Sequence, residues 1–168
     1  IHADSTATIM TSIDQRFSKG KVWSDDNKRI FHDNTGYIIL QADTCITLTE
    51  NKEGQWKDFM GMYKPEILKS KLFSVYLKHR KDAPASYVYL TLPATTQQKV
   101  RDFDSRSVHI IRNDKKAQAA VINDLCYASV YHPTNLLIDN DNPIAISEPG
   151  TYIIHIKKKE IVSHESFA

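Results

Sequence analysis

The feature that most constrains this chain is the way its apolar residues alternate over short runs that end in turn clusters. No long stretch follows the 3.6-residue period of a helix. Tyr87, Tyr89 and Thr91 fall on one face of an extended segment and Val88, Leu90 and Leu92 on the other, and Pro93 closes it, so both faces are expected to be partly covered. In 151–158, Tyr152, Ile154 and Ile156 alternate with Thr151, Ile153, His155 and Lys157 behind the turn signal Pro149-Gly150, which predicts a late strand with one buried face. Further strands are predicted over 7–15, 21–24, 29–32, 37–41, 45–49, 68–78, 108–112, 117–122, 128–132, 135–139 and 144–147. Their spacing predicts an all-β fold, an antiparallel β-sandwich. A single helix is expected, where Thr95 or Thr96 caps a short turn through Gln97, Gln98, Lys99 and Val100 toward Phe103. The Lys- and Ala-rich stretch 114–123 lies between apolar segments that pair better as a hairpin through Asn113-Asp114 than as a second helix.

A chain of 168 residues can bury one or two cores without a covalent staple. The turn-rich passage around 133–149 and the change of pattern between 105 and 124 suggest two domains, 1–112 and a smaller C-terminal β-domain, 113–168. The formal charge of +2 is too small to argue for nucleic acid, and no run of about 18 apolar residues exists to insert into a membrane. Cys45 and Cys126 have neither metal-site nor disulfide-framework spacing; two buried free thiols are the expectation, with pairing left open. The start Ile1-His2-Ala3 carries no signal-peptide pattern, which suggests an internal boundary or a processed end.

Several segments resemble, in order, the later β-domains of polysaccharide lyase family 8, whose members cleave hyaluronan, chondroitin or xanthan. Met10-Thr11-Ser12-Ile13-Asp14-Gln15 with Gly20-Lys21-Val22 resembles the family's Thr-x-x-x-Gln strand and following turn. Phe31-His32-Asp33-Asn34-Thr35-Gly36-Tyr37 resembles its His-Asp-x-x-Gly-Tyr segment, and Gly54-Gln55-Trp56-Lys57-Asp58 its Gly-x-Trp passage. Leu77-Lys78-His79, the run from Ala85 to Pro93 and Ala117-Gln118-Ala119-Ala120 continue the likeness. One departure stands out: the family's Asp-His-Gly corner is here Lys78-His79-Arg80, which implies a reshaped turn or another backbone conformation at Arg80.

The resemblance implies that 1–112 is part of a central β-supersandwich and 113–168 a C-terminal β-domain. It also implies a parent that degrades uronate-containing glycosaminoglycans by β-elimination. That reaction neutralises the uronate carboxylate, removes the proton beside it and protonates the departing glycosidic oxygen. In the family the Asn, His, Tyr and Arg that do this come from a helical toroid preceding the β-domains. No residue of this chain matches that motif, so no catalytic residue is assigned and the chain is expected to be inactive alone, as a scaffold or one wall of the cleft. The implied partners are an acidic polysaccharide and the toroid, no cofactor is implied, and the parent is expected to be secreted or periplasmic because its polymers are extracellular. The alternative, from another class, is a free-standing carbohydrate-binding or adhesion module.

Four residues are expected to meet substrate. Trp56 offers an indole face for a pyranose and Lys57 a cation for its carboxylate, although a Trp beside a strand more commonly packs into a core. His79 and Arg80, followed by Lys81, can meet a sulfate or uronate, against the plainer role of a solvated corner. His32, Asp33 and Tyr37 have the residue types for proton transfer, yet a hairpin with satisfied polar groups is the expectation. Trp23 reads as core or interface, Lys157-Lys158-Lys159 as a solvated strand end, and the oxygens of 139–142 do not match a calcium loop, so no metal is assigned.

Overall fold

The computed structural model describes residues 8–62, 64–81, 85–138 and 143–167. Ala7 and the 139–142 turn therefore lie outside the described residues. The chain divides into two compact units, Ile1–Phe103 and Asp104–Ala168. This division precedes the 112/113 boundary read from the sequence. Asp104 caps a 3-10 turn, Ser105–Ser107, and the strand after it is hydrogen-bonded into the second unit.

The first unit holds two antiparallel sheets. One has the order β1-β6-β5, from Thr8–Phe17, Leu68–Arg80 and Thr44–Gly54. The other has the order β2-β3-β4-β7, from Trp23–Asp25, Arg29–His32, Thr35–Gln41 and Val88–Leu92. Ile30, Tyr37 and Ile39 of the second sheet pack on Cys45, Phe73, Val75 and Leu77 of the first, which makes this unit a sandwich. The β3–β4 hairpin turns on Asp33 and Asn34, both at positive φ, the residue types that tolerate a two-residue turn of this hand. Short-chain polar residues at the tip thus fix the register that sends Ile30 and Tyr37 inward.

The predicted helix is α1, Gln97–Arg101, with the Thr96 side chain accepting from the Lys99 amide. It buries Val100 against Gly36: a Cβ on Gly36 would stand 2.2 Å from Val100 Cγ2. Only the missing side chain at Gly36 lets helix and strand approach this closely. In the β5–β6 hairpin, Lys52–Gly54 pairs with Leu68–Ser70 beyond the last residue that β1 covers, Lys71, and this end is exposed on both faces.

The second unit is a five-stranded antiparallel sheet of order β14-β13-β10-β9-β8, with a small ribbon β11-β12. The strands are β8 Val108–Asn113, β9 Ala117–Ile122, β10 Leu125–Val130, β11 Thr134–Leu136, β12 Ile144–Ile146, β13 Gly150–His155 and β14 Glu160–Ser166. The hairpin preferred over a helix at 114–123 is present, and the Asp114 carboxylate accepts from the Lys116 and Ala117 amides to close it. The late strand ends at His155 instead of reaching Lys158. Lys157 reaches Asp124 at 2.9 Å, and Lys159 takes positive φ in the turn to β14. Alternation did not reveal β14, because all of its residues are exposed and none carries a core-facing signal.

Candidate functional site

His32, Asp33 and Tyr37 are the residues with proton-transfer chemistry, and their hairpin places the His32 and Tyr37 rings against Phe73. The His32 ring stacks on Phe73 at 4.1 Å and is 0% exposed, while the Tyr37 ring lies 6.1 Å from Phe73 and is 1% exposed. Their polar atoms face different partners. The Tyr37 hydroxyl donates to Asp14, which also pairs with Arg16, and Arg16 donates to Thr35 Oγ1 at 2.9 Å. Ser18 donates its hydroxyl to the Gly20 carbonyl at 3.2 Å, so the 2.9 Å contact between Ser18 Oγ and His32 Nε2 has the imidazole donating. Asp33 lies 3.3 Å from the same nitrogen, and its carboxylate also accepts from the Lys19 amide at 2.9 Å.

With Nε2 carrying the proton, buried Nδ1 faces no hydrogen-bond partner, so a second proton there would be an unsatisfied buried charge. Burial accordingly lowers the His32 pKa, with Asp33 opposing in part. Burial first, and then the bond to Asp14, push the Tyr37 hydroxyl above its ordinary range. The cluster is buried and internally paired, as the plainer of the two readings made from sequence expects, except that His32 Nδ1 has no hydrogen-bond partner. That reading named neither Asp14 nor Arg16; an acid and a base two residues apart on one strand face was the available signal.

Trp56 and Lys57 open a 3-10 turn, Trp56–Asp58, at the outer end of the β5–β6 hairpin. Trp56 is 59% exposed and meets Phe59, itself 82% exposed, edge-on at 6.4 Å. The core role expected as commoner for this Trp is therefore corrected: among the described residues, β1 covers the hairpin only as far as Lys71, and the indole lies beyond that point. Trp23, by contrast, is half-buried, with the Arg101 guanidinium 5.3 Å above its ring.

His79 and Arg80 end β6, paired with Ile9 and Thr8. The departure from the family's glycine corner is thus absorbed by extended backbone, and no turn forms at Arg80. His79 is half-buried and stacks with Tyr87 at 6.3 Å, and Tyr87 continues to Tyr89 at 6.4 Å. Tyr87 was read only as a strand-face residue, because nothing in the local sequence signals its contact with His79. The strand runs between the two predicted pairs: the eleven steps from Leu68, opposite Gly54, to His79 at about 3.3 Å each make about 36 Å of extended chain. Trp56 with Lys57 and His79 with Arg80 are two stations, not one site.

Cys45 and Cys126 are free and buried, and burial pushes each thiol up to about 11. Among the described residues no helix is long and apolar enough to cross a membrane.

A sequence profile described as "Polysaccharide lyase family 8, super-sandwich domain" matches residues 1–104. A hyaluronate lyase of Thermasporomyces composti is 25% identical over 126 residues, 72% of this chain and 16% of that protein. A chondroitinase AC lyase structure superposes with a TM-score of 0.76 at 15% identity, covering 95% of this chain and 26% of the other. The chondroitin AC lyase of Streptomyces coelicolor A3, solved in complex with chondroitin sulphate, gives 0.70 at 17% identity over 90% of this chain and 21% of its own. This chain thus spans about a quarter or less of the length of these relatives.

Proposed function

From the premise that this chain belongs to polysaccharide lyase family 8 through its super-sandwich domain, we propose that it is a non-catalytic β-sandwich portion of a secreted or periplasmic lyase. The parent degrades uronate-containing glycosaminoglycans by β-elimination. This chain supports the helical toroid that supplies the catalytic groups and forms part of the wall along which the polymer runs. Trp56 with Lys57, and His79 with Arg80, are the proposed contacts with the polymer.

The observation that carries the reading is the burial of His32 and Tyr37. β-Elimination breaks the C–H bond beside the carboxylate, moves that pair into a new C=C bond and expels the glycosidic oxygen, which takes up a proton. A base and an acid must touch those atoms. His32 is committed to Ser18 and Asp33 and Tyr37 to Asp14, beneath the packed faces of two sheets, where no polysaccharide reaches.

The test is the new absorbance of unsaturated uronate on hyaluronan and chondroitin sulfates, for this chain and for a parent that includes the toroid. Product from the parent alone is expected; product from this chain would overturn the scaffold role. The exposure of Trp56 beside Lys57 favours a second reading, a carbohydrate-binding module that acts without a toroid. Retention of this chain on immobilised polysaccharide through Trp56, together with a parent lacking lyase activity, would favour it.

A further inference from the structure

The outward face of the β1-β6-β5 sheet has the composition of an inward one. Phe73, Val75 and Leu77 of β6 fill the core of the first unit, so the alternate residues Leu72, Ser74, Tyr76 and Lys78 point the other way. Strand register sets their neighbours on that side. Phe17 and Glu50 flank Leu72, Gln15 and Leu48 flank Ser74, Ser12 and Ile46 flank Tyr76, and Met10 and Thr44 flank Lys78. An antiparallel sheet with one face in water normally carries polar side chains there. This face instead gathers Met10, Phe17, Ile46, Leu48, Leu72 and Tyr76, and its charges, Lys78 and Glu50, stand only in the two end rows. Phe17 is 66% exposed, Met10 51% and Leu48 36%, while Ile46, Leu72 and Tyr76 are half-buried. Ser74 is 3% exposed although it shares this side, so the larger side chains around it wall a shallow seat.

Resting on the reading of this chain as a portion of a longer lyase, we propose that this face docks a further β-sheet of the parent polypeptide. The β1-β6-β5 sheet then becomes the middle layer of three. The family profile that matches residues 1–104 describes a super-sandwich, whereas the first unit holds two sheets, the layers of a single sandwich. This chain spans 16 to 26% of the length of its relatives, so a parent of their size has polypeptide to supply the third layer. An apolar, uncharged centre with charges at its ends suits a packed seam, in which side chains of layers about 10 Å apart interdigitate. The partner sheet therefore presents aliphatic or aromatic residues, one of them seated over Ser74, and an acidic residue within reach of Lys78. An acidic polysaccharide fits this face poorly, since Lys78 is the only cation in its four rows.

The experiment is hydroxyl-radical footprinting of this 168-residue chain and of a parent that includes the toroid, with lyase activity followed on the same parent sample. Met10, Phe17 and Leu48 are expected to react in this chain and to lose most of that reactivity in the parent. Equal reactivity in the two would overturn the proposal. A photo-reactive methionine analogue at Met10 then identifies what lies over the face. A crosslink to a β-strand of the same parent molecule upholds the proposal, whereas a crosslink to the helical toroid or to a second copy overturns it. Leu48→Lys is expected to leave the unfolding midpoint of this chain unchanged and to lower that of the parent; an equal fall in both would make the effect local and sink the docking face. Should the Leu48→Lys parent not fold, Leu48→Ala reads the same difference. Unprotected residues in an active parent sink this face and leave the lyase reading standing, whereas protected residues in an inactive parent uphold the face and sink the lyase reading.

Discussion

The cores of the two units are built from different materials. All three buried polar residues among those described, His32, Thr35 and Ser74, lie in the first unit, together with the rings of Tyr37 and Phe73. The second core is mainly small and aliphatic: Ala117, Ala119, Val121, Cys126, Ala128, Val130, Leu136, Ile146 and Ile154, with Tyr152 at its margin. A core with buried polar groups holds one arrangement because each group needs its own partner. A core of alanines and branched aliphatics depends on close fit and tolerates conservative exchange.

The largest effect is expected from Phe73→Ala, which removes the ring under both His32 and Tyr37 and is expected to cost about 3–5 kcal/mol. Ile154→Val in the second core is expected to cost about 1 kcal/mol. Denaturant unfolding, with hydrogen exchange to assign each loss to its unit, checks both. Equal losses would erase the contrast. Next comes Gly36→Ala, which drives a Cβ into Val100 Cγ2 and is expected to cost about 1–3 kcal/mol. Combining it with Val100→Ala should recover part of the loss; no recovery would show that the close approach is not the cause.

Tyr37→Phe removes the donor to the charged Asp14 and is expected to cost about 1.5 kcal/mol. Tyr152→Phe, whose hydroxyl donates to the neutral Glu148 carbonyl at 2.7 Å, is expected to cost about 1 kcal/mol. Thermal melts of the two variants side by side measure whether the polar layer weighs more than a marginal hydrogen bond.

The His32 contribution shows only in acid. Its folded pKa lies below the ordinary 6.5, so the unfolded chain binds a proton that the folded chain refuses. Stability of the first unit should therefore be full above that value, fall as the pH drops below it, and stop falling once the depressed folded pKa is passed. His32→Asn should flatten that part of the pH profile, and an unchanged slope would assign it to the carboxylates instead. The smallest effect is expected from Thr96→Ala, which removes the α1 cap at a cost of about 1 kcal/mol or less, measurable as faster exchange of the Lys99 amide.

Strand existence was legible wherever one face is buried. Arg29–His32 and Ala117–Ile122 match their predicted limits, and Thr96 was named in advance as a possible cap for α1. Legibility failed at β14, where no face is buried, and at His79, where the end of β6 meets Tyr87 from the segment that precedes β7. Trp56 shows the limit from the other side: a large aromatic beside a strand is usually core, and only the length of β5 and β6 beyond the third strand leaves this one exposed.

The sequence alone determined the all-β class, the positions of most strands and the turn chemistry, because side-chain alternation and the φ tolerance of Asp, Asn, Gly and Pro act over a few residues. It also carried the family likeness, as an ordered series of short strings. Tertiary structure decided which sheet each strand joined, where the two units divide, that Tyr37 reaches Asp14 while His32 reaches Ser18, and that Trp56 and His79 stand at opposite ends of one hairpin. Those outcomes depend on pairings between residues far apart in the chain, whose energies come from burial and partner geometry and leave no mark on the residues in between.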